Sequence, residues 1–312
     1  MQFKQPSTPH AIKIMVPIDY SHASLRALQW AESIANGRSA TVTVVHALDP
    51  SPLTQLSDAA DVLFVRADER MEAACAGFID KGITVVFRNR VGRPSEVVRA
   101  MIDQEGADLI VVGNSGLSSV KRALLGSNAD RILRAVATPA LVVHTVDVPR
   151  ERMRVLIATD FSPDANEAIA EFRHIFLRSS IRLEVRVMHA TVPPDLLEGD
   201  ALLSIERIDW PQFEAEAGEA ALRVASEFRA DGVETTVMIV RGGAARAILA
   251  EARAWRADMI VIGRRGLSGF ERMLVGSSAE RVLHGADCAV FSAQLARVPA
   301  PAELQARAAF IA

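Results

Sequence analysis

The stretch VVGNSGLSSVKRALLGSNAD at residues 111–130 occurs a second time as VIGRRGLSGFERMLVGSSAE at residues 261–280. In both copies an apolar run ends at a glycine, a second glycine follows after two residues, and a Gly-Ser pair follows after nine more. A fixed spacing behind the same kind of apolar run is typical of one structural unit that occurs twice. The twin stretches therefore predict two homologous domains in one chain.

Five pairs of stretches repeat in the same order along the chain, and together they indicate a duplication. They are 12–21 with 153–162, 41–50 with 182–193, 82–98 with 232–248, 107–113 with 257–263, and 138–145 with 287–294. From this order we expect one domain at residues 1–148 and a second at 149–295. The remaining tail, 296–312, has no counterpart in the first half.

Short apolar runs alternate with longer amphipathic segments in each half, which is typical of βαβ units and a parallel sheet. We expect an α/β fold of two tandem, doubly wound, five-stranded parallel-sheet domains, Rossmann-like and with strand order 3-2-1-4-5. The fifth strands would be edge strands that could pair with each other, and the runs 57–81 and 211–231 are each predicted as one long helix. The predicted strands are 12–18, 41–47, 83–89, 108–112 and 140–145, then 153–159, 182–189, 233–240, 258–262 and 288–293.

Composition limits the partners that this chain is expected to have. The formal net charge is −3, so the basic face that binds nucleic-acid phosphates is not indicated. No run approaches the roughly 18 apolar residues that a membrane-spanning helix requires. The two cysteines, Cys75 and Cys288, have no spacing that suggests zinc or a disulfide network. We therefore expect a soluble cytoplasmic protein with no nucleic-acid or membrane partner.

The glycines of the twin stretches are suited to a phosphate site. The first glycine follows a buried strand, where the lack of a Cβ lets main chain approach a ligand. The Gly-Ser pair begins a helical pattern, and the amides at a helix N-terminus favour anions. The glycines concerned are Gly113, Gly116 and Gly126, and in the second copy Gly263, Gly266 and Gly276.

A purely structural interpretation of the same residues stays open. Ser127 precedes Asp130 by three residues and Ser277 precedes Glu280 likewise, which is the spacing of a capping box or a near variant. Glycines at strand-to-helix turns also occur where helix and strand pack closely.

The carboxyl ends of the first strands are favourable positions for binding a ligand. If the strand order is 3-2-1-4-5, the order reverses between the first and fourth strands, and ligands bind at such a reversal. Asp19 and Asp160 end the first strands, so each aspartate is expected to face a glycine motif across one crevice.

These residues resemble the universal stress protein family in its tandem form, over residues 10–146 and 152–294. The resemblance implies that the backbone near Asp19 and Ala47 holds adenine, that Val112 and Gly113 lie beside the ribose, and that the 126–128 turn holds phosphates. It also implies ATP as the ligand, with Mg²⁺ or Mn²⁺ as an accompanying ion. The ATP-binding residues implied for the two domains are Pro17, Asp19, Ala47, Val112, Gly113, Gly116, Gly126, Ser127 and Asn128, and Asp160, Ala190, Ile262, Gly263, Arg264, Arg265, Gly266, Gly276, Ser277 and Ser278.

The two copies also depart from each other. Ala158 stands where the first domain has Pro17, and Cys288 aligns with Pro139. Between the first two glycines the first copy has Asn114 and Ser115, whereas the second has two arginines, 264–265. We hypothesise that one of these arginines adds a charge-assisted phosphate contact, and hence tighter triphosphate binding in the second domain.

Three functions are compatible with the sequence. The first is an ATP-binding stress or signalling protein, in which nucleotide occupancy biases conformation or partner choice. The second is a slow ATPase, although the chain has no GxxxxGK[ST], GxSxG or HExxH motif and no residue is predicted as catalytic. The third is a nucleotide-free scaffold of the same fold. The family further implies an intramolecular pseudo-dimer and a homodimer, and His46 and His189 are interpreted as hydrogen-bonded residues at strand ends.

Overall fold

The computed structural model describes residues 11–48, 57–114, 125–144, 148, 151–191, 210–264 and 277–295. The strands are β1 Ile12–Ile18, β2 Ala40–Leu48, β3 Thr84–Val91, β4 Leu109–Gly113, β5 Ala140–Val143, β6 Arg152–Ala158, β7 Arg182–Thr191, β8 Glu234–Arg241, β9 Met259–Gly263 and β10 Ala289–Ala293. The helices are α1 His22–Ala35, α2 Ser57–Ala74, α3 Ala76–Asp80, α4 Pro94–Glu105, α5 Ser127–Ala135, α6 Pro163–Phe176, α7 Trp210–Ala230, α8 Ala244–Trp255 and α9 Ser277–Gly285.

The strands form one sheet with the order β3-β2-β1-β4-β5-β10-β9-β6-β7-β8. The predicted order 3-2-1-4-5 is confirmed in each half. The predicted pairing of the fifth strands is also confirmed, because β5 and β10 are antiparallel neighbours with Val142 opposite Val290. All other neighbouring strands are parallel, so the carboxyl ends of the two halves point in opposite directions.

The central strands are buried on both faces, as their continuous apolar sequences require. One apolar layer covers each face of the sheet and extends through both halves. Within the second half, the Phe291 ring of β10, the strand beside β5, lies 5.9 Å from the Phe172 ring and 5.8 Å from the Phe176 ring, both of α6. The two halves therefore share a continuous core.

A repeated aspartate at the amino end of the fourth strands has a structural role. Asp108 Oδ2 accepts a hydrogen bond from the Lys13 amide at 2.8 Å, and Asp258 Oδ2 accepts one from the Arg154 amide at 2.7 Å. Each aspartate therefore joins the start of a fourth strand to the first strand beside it. This contact explains why the pairs ADLIVVG and ADMIVIG both begin with Ala-Asp.

The structure corrects two details of the sequence analysis. Residues 57–81 are not one helix: α2 and α3 are separated at Cys75, and Gly77, a weak helix former, follows the break. The counterpart of Pro139 is Ala289 rather than Cys288. The register shows this, because Gly113 pairs with Val143 and Gly263 with Ala293, a constant separation of 150 residues between the copies.

Candidate functional site

The first candidate crevice lies where the strand order reverses. β1 pairs with β4 through Ile14 and Leu109. The next strands in the chain, β2 after β1 and β5 after β4, lie on opposite sides of this pair. The second copy has the same arrangement, with Val155 of β6 paired with Met259 of β9. The carboxyl ends of these two strand pairs are the positions at which open α/β sheets bind ligands.

Asp19 and Asp160 organise the turns that follow the first strands. Asp19 Oδ1 accepts a hydrogen bond from the Ser21 amide at 3.0 Å, and Asp160 Oδ1 accepts one from the Ser162 amide at 3.0 Å. The residue between them is left-handed in both copies, with φ 60° at Tyr20 and 59° at Phe161. Each carboxylate thus stabilises a backbone conformation that non-glycine residues rarely adopt.

Serines begin the helices that follow these turns. Ser21 accepts from the Ser24 amide at 3.2 Å and Ser162 accepts from the Ala165 amide at 3.2 Å. Ser162 is the N-cap of α6, and Pro163 follows at the first helical position, a favoured pair.

The two histidines brace the same turns. His46 Nδ1 lies 2.9 Å from the Ile18 carbonyl oxygen, and His189 Nδ1 lies 2.8 Å from the Thr159 carbonyl oxygen. Each imidazole also contacts the left-handed aromatic residue, at 4.9 Å between ring centroids in the first copy and 4.8 Å in the second. The interpretation of the histidines as hydrogen-bonded residues at strand ends is confirmed.

The two turns differ in their aromatic residue. The Arg70 guanidinium lies 4.0 Å from the centroid of the Tyr20 ring, a cation–π contact. Burial raises the pKa of Tyr20 to about 12, so its hydroxyl is protonated at neutral pH. Phe161 has no hydroxyl, so the second crevice is more apolar at this point.

The first glycine of each stretch is required by packing. A Cβ added to Gly113 would lie 2.5 Å from the carbonyl carbon of Ala23, and one added to Gly263 would lie 2.6 Å from the Ala165 nitrogen. Both neighbours are backbone atoms in the first turn of α1 or α6, so they have no rotamer with which to move away. The packing explanation, which the sequence analysis left open, therefore accounts for these two glycines.

At the start of α5, by contrast, the structure does not support the purely structural interpretation. Gly126, not Ser127, is the N-cap, and no side chain caps the helix. The Asp130 carboxylate instead accepts hydrogen bonds from its neighbour Arg134 at 3.0 Å. The capping box, one of the two interpretations left open, is therefore contradicted at Ser127, and Ser127 and Asn128 are exposed at the first two helical positions.

The loop that ends at this helix is closed at its base. The Gly126 amide lies 2.5 Å from the Asn114 carbonyl oxygen, and the Asn114 amide donates to Val143 at 2.9 Å. In the second copy Ser277 and Ser278 are likewise exposed at the start of α9. Of the other predicted residues of these loops, Gly116, Arg265, Gly266 and Gly276 lie outside the described residues.

The remaining predicted residues lie around the two crevices. Val112 and Ile262 are 4% and 5% exposed, directly before the first glycine of each stretch, so their side chains belong to the core. Ala47 and Ala190 are half-buried near the ends of β2 and β7. Pro17 is half-buried in β1, whereas its counterpart Ala158 is buried.

Arg264 does not lie as the sequence analysis supposed. It is 1% exposed, and its Nη1 and Nη2 each donate a 2.6 Å hydrogen bond, to the carbonyl oxygens of Val136 and Thr138. These acceptors belong to the other domain. The hypothesis that Arg264 adds a phosphate contact disagrees with this placement, because the guanidinium is engaged at the junction between the domains.

Other contacts between the domains also escaped the sequence analysis. Arg134 of α5 forms an ion pair with Glu280 of α9 at 2.8 Å. Burial lowers the pKa of His144, which follows β5, while the nearby carbonyl groups of Leu283 and Cys288 oppose that lowering. No spacing within either repeat indicates these contacts, because their partners lie in the other copy.

Metal clusters and membrane-spanning helices are both absent from the part of the chain that the structure describes. No group of three or more His, Cys, Asp or Glu side chains there could hold a metal ion. Within the same ranges, no helix is both long and apolar enough to cross a membrane.

Comparison with known proteins gives a consistent result. The model of the universal stress protein family matches residues 12–144 and again 151–292. A universal stress protein of Mycobacterium tuberculosis is 32% identical over 308 residues, 93% of this chain and 95% of that protein. One of Mycolicibacterium smegmatis is 30% identical over 296 residues, 88% of this chain and 94% of that protein. The solved universal stress protein of Archaeoglobus fulgidus has the same fold, with a TM-score of 0.67 and 23% identity over 91% of this chain and 98% of that one.

Proposed function

This chain belongs to the universal stress protein family, with the family domain present in two tandem copies, and from that premise we propose that it binds ATP in both crevices. The phosphates would lie against the Gly126-Ser127-Asn128 turn in the first domain and the Gly276-Ser277-Ser278 turn in the second. Adenine would lie near Asp19 and Ala47, or near Asp160 and Ala190.

The observation that carries this proposal is the uncapped N-terminus of α5. The first amides of a helix have no intrahelical acceptor, and a capping side chain can satisfy one of them. At Gly126 no side chain does so, and Ser127 and Asn128 are exposed. The turn also stands at the reversal of strand order, so donor groups and a positive dipole end face the predicted ligand crevice.

A divalent ion fits this site only if the nucleotide supplies most of its ligands. No cluster of acidic or histidine side chains among the described residues could hold a metal by itself. Mg²⁺ commonly keeps several waters and binds through substrate phosphates with one or two protein groups. The residues of this chain would accordingly position the phosphates rather than build a metal cage.

Nucleotide occupancy would act by changing conformation or partner choice in a stress response or signalling. The aspartates and histidines of the crevices are engaged with main-chain groups of their own turns. This arrangement is suited to a rigid binding site, and any ATP hydrolysis would be slow. A homodimer and a cytoplasmic location remain part of the proposal.

A nucleotide-free scaffold is the second candidate, and one observation favours it. Gly113 and Gly263 are required by packing against α1 and α6. A chain that had lost its ligand would keep these glycines, so their presence alone does not argue for binding.

A charge introduced at α5 separates the two candidates. In Ser127→Asp, a carboxylate at the first helical position favours the helix dipole but repels a triphosphate. We expect ATP affinity at the first site to fall by at least about tenfold, while the melting temperature stays unchanged or rises. Ser127→Ala is the matched control and should change affinity far less.

The measurement is isothermal titration of the full chain, together with mass spectrometry of nucleotide released on denaturation. Solved universal stress proteins that match about half of this chain include one in complex with cAMP and one from Arabidopsis thaliana with AMP bound, so AMP and cAMP are titrated beside ATP. A protein that releases no nucleotide and takes up none of the three would support the scaffold instead.

A further inference from the structure

Arg264 joins the second glycine stretch to the first domain. Besides its bonds to Val136 and Thr138, Nη1 lies 3.4 Å from the Leu133 carbonyl oxygen. Leu133 lies in the last turn of α5, Val136 is the C-cap of that helix, and Thr138 lies three residues beyond its last residue, Ala135. The carbonyl groups of a last turn lack intrahelical partners and carry the negative end of the helix dipole. A guanidinium fork is well suited to bind several of them at once.

The main chain of Arg264 belongs to the second candidate site. Its amide donates to the Ala293 carbonyl oxygen at 2.9 Å, as the Asn114 amide does to Val143 in the first copy. Arg264 directly follows Gly263 and is therefore the first residue of the loop that leads to the second phosphate turn. Its backbone is held within the second domain, whereas its guanidinium binds Val136 and Thr138 of the first domain and also lies, through Nε, 3.4 Å from Ser292 Oγ of the second.

The helix that Arg264 holds begins at the first candidate site. α5 has nine residues, so it spans about 13 Å. Its N-terminus is the Gly126-Ser127-Asn128 turn, and its C-terminus accepts the Arg264 guanidinium. One short, rigid element therefore connects the two loops at which phosphates are proposed to bind.

We propose that Arg264 is a positioning residue that couples the two nucleotide sites through α5. This inference rests on the proposed function. An anion bound at the start of α5 would shift or stiffen the helix, and the Arg264 side chain would transmit that change to the carboxyl end of β9, beside the second crevice. Thermodynamic coupling is reciprocal, so ATP at the second site alters affinity at the first by the same factor.

The two copies are unequal in this respect. The first domain has Asn114 at the position of Arg264, and an asparagine offers no guanidinium fork. The Arg264 side chain is thus a feature that the duplication does not share between its halves, and Asn is the natural choice for a substitution there.

The test compares two-site with one-site binding of ATP to the full chain. Ala47→Phe fills the predicted adenine position of the first site, and Ala190→Phe fills that of the second. Titration of the wild type against these two variants yields a coupling factor between the sites. We expect a factor of about five or more, falling below about two in Arg264→Asn while both sites still bind.

Controls separate coupling from damage to the fold. Arg223→Ala removes an exposed ion pair with Glu219 within α7 of the second domain and should leave the coupling factor unchanged. Arg264→Lys retains the charge without the fork and should keep part of the coupling, and it replaces Arg264→Asn if that variant fails to fold. Sites that bind independently in the wild type, or a factor unchanged in Arg264→Asn, would overturn the inference. Absence of ATP binding to the wild type would overturn the proposed function and this inference with it.

Discussion

The two glycine stretches make nearly the same main-chain hydrogen bonds, but the side chain after the first glycine has different partners in the two copies. After the first glycine, the amide of Asn114 and that of Arg264 make equivalent 2.9 Å hydrogen bonds to the neighbouring fifth strand. Both residues are 1% exposed. The Arg264 side chain nevertheless crosses to the other domain, onto carbonyl groups around the end of α5. Duplication has thus kept the main-chain contacts and left the side chain available for a contact between copies.

The largest expected effect tests whether packing against a helix requires the first glycine equally in both stretches. Gly113→Ala and Gly263→Ala each place a Cβ against backbone of a buried helix. Each should lower the free energy of unfolding by about 3 kcal/mol, at the upper end for overpacking. Chemical denaturation measures this.

Gly218→Ala is the control for that experiment. A Cβ at Gly218 meets nothing within 4 Å in α7, so alanine there should stabilise by up to about 1 kcal/mol. If Gly263→Ala were tolerated while Gly113→Ala was not, the two stretches would not be equivalent in packing.

An effect of intermediate size is expected in the pH dependence of stability, and it comes from the residue that follows the fifth strand of the first half. His144 is buried at the domain junction, whereas its counterpart at 294 is a glutamine. Burial lowers the pKa of His144 in the folded state; the Leu283 carbonyl and the Asp287 charge oppose that lowering. The unfolded chain then binds the proton more readily. Stability from this group is therefore complete above about pH 6.5 and is lost as pH falls through the lower, folded-state pKa.

His144→Gln copies the second half into the first and provides the measurement. The free energy of unfolding of the wild type should fall more steeply from pH 7.5 to pH 5 than that of the variant. Parallel curves for the two proteins would contradict the assignment of this proton to His144.

The smallest effect concerns the exposed contact between the copies. The Arg134–Glu280 ion pair has side chains that are 35% and 45% exposed. Glu280→Gln should therefore destabilise the chain by about 0.5 kcal/mol at low salt, and by less at 1 M salt. A double-mutant cycle with Arg134→Ala gives the pair's own contribution, and a coupling energy above about 2 kcal/mol would show that the interface depends on it.

Much of the architecture was predictable because local pattern and strand pairing act together. Alternating apolar runs indicated parallel strands with right-handed crossovers, whereas the order 3-2-1-4-5 was an assumption that the strand pairing bears out. The assignment of Cys288 opposite Pro139 failed because the alignment slipped by one residue there. Only the strand register, which pairs Gly263 with Ala293, resolves such a shift.

The candidate site was predicted less evenly. The spacing of Ser127 and Asp130 left a capping box open as an alternative, yet Gly126 is the N-cap of α5 and no side chain caps that helix. The glycines were expected to make room for a ligand, yet Gly113 makes room for α1. A spacing motif identifies where a turn occurs, but it does not say which neighbour requires the missing Cβ.

The sequence by itself determined the duplication, the alternation of strands and helices within each half and the position of the glycines directly after the fourth strands. These follow from periodicity and spacing, which are properties of each repeat taken alone. The tertiary structure decided how the repeats meet: β5 against β10, antiparallel, with Arg264 on α5 and His144 buried at the junction. Antiparallel pairing brings the carboxyl end of one half beside the amino end of the other. Contacts there join residues more than a hundred positions apart, as Arg264 and Val136 show, and no pattern within a single repeat encodes them.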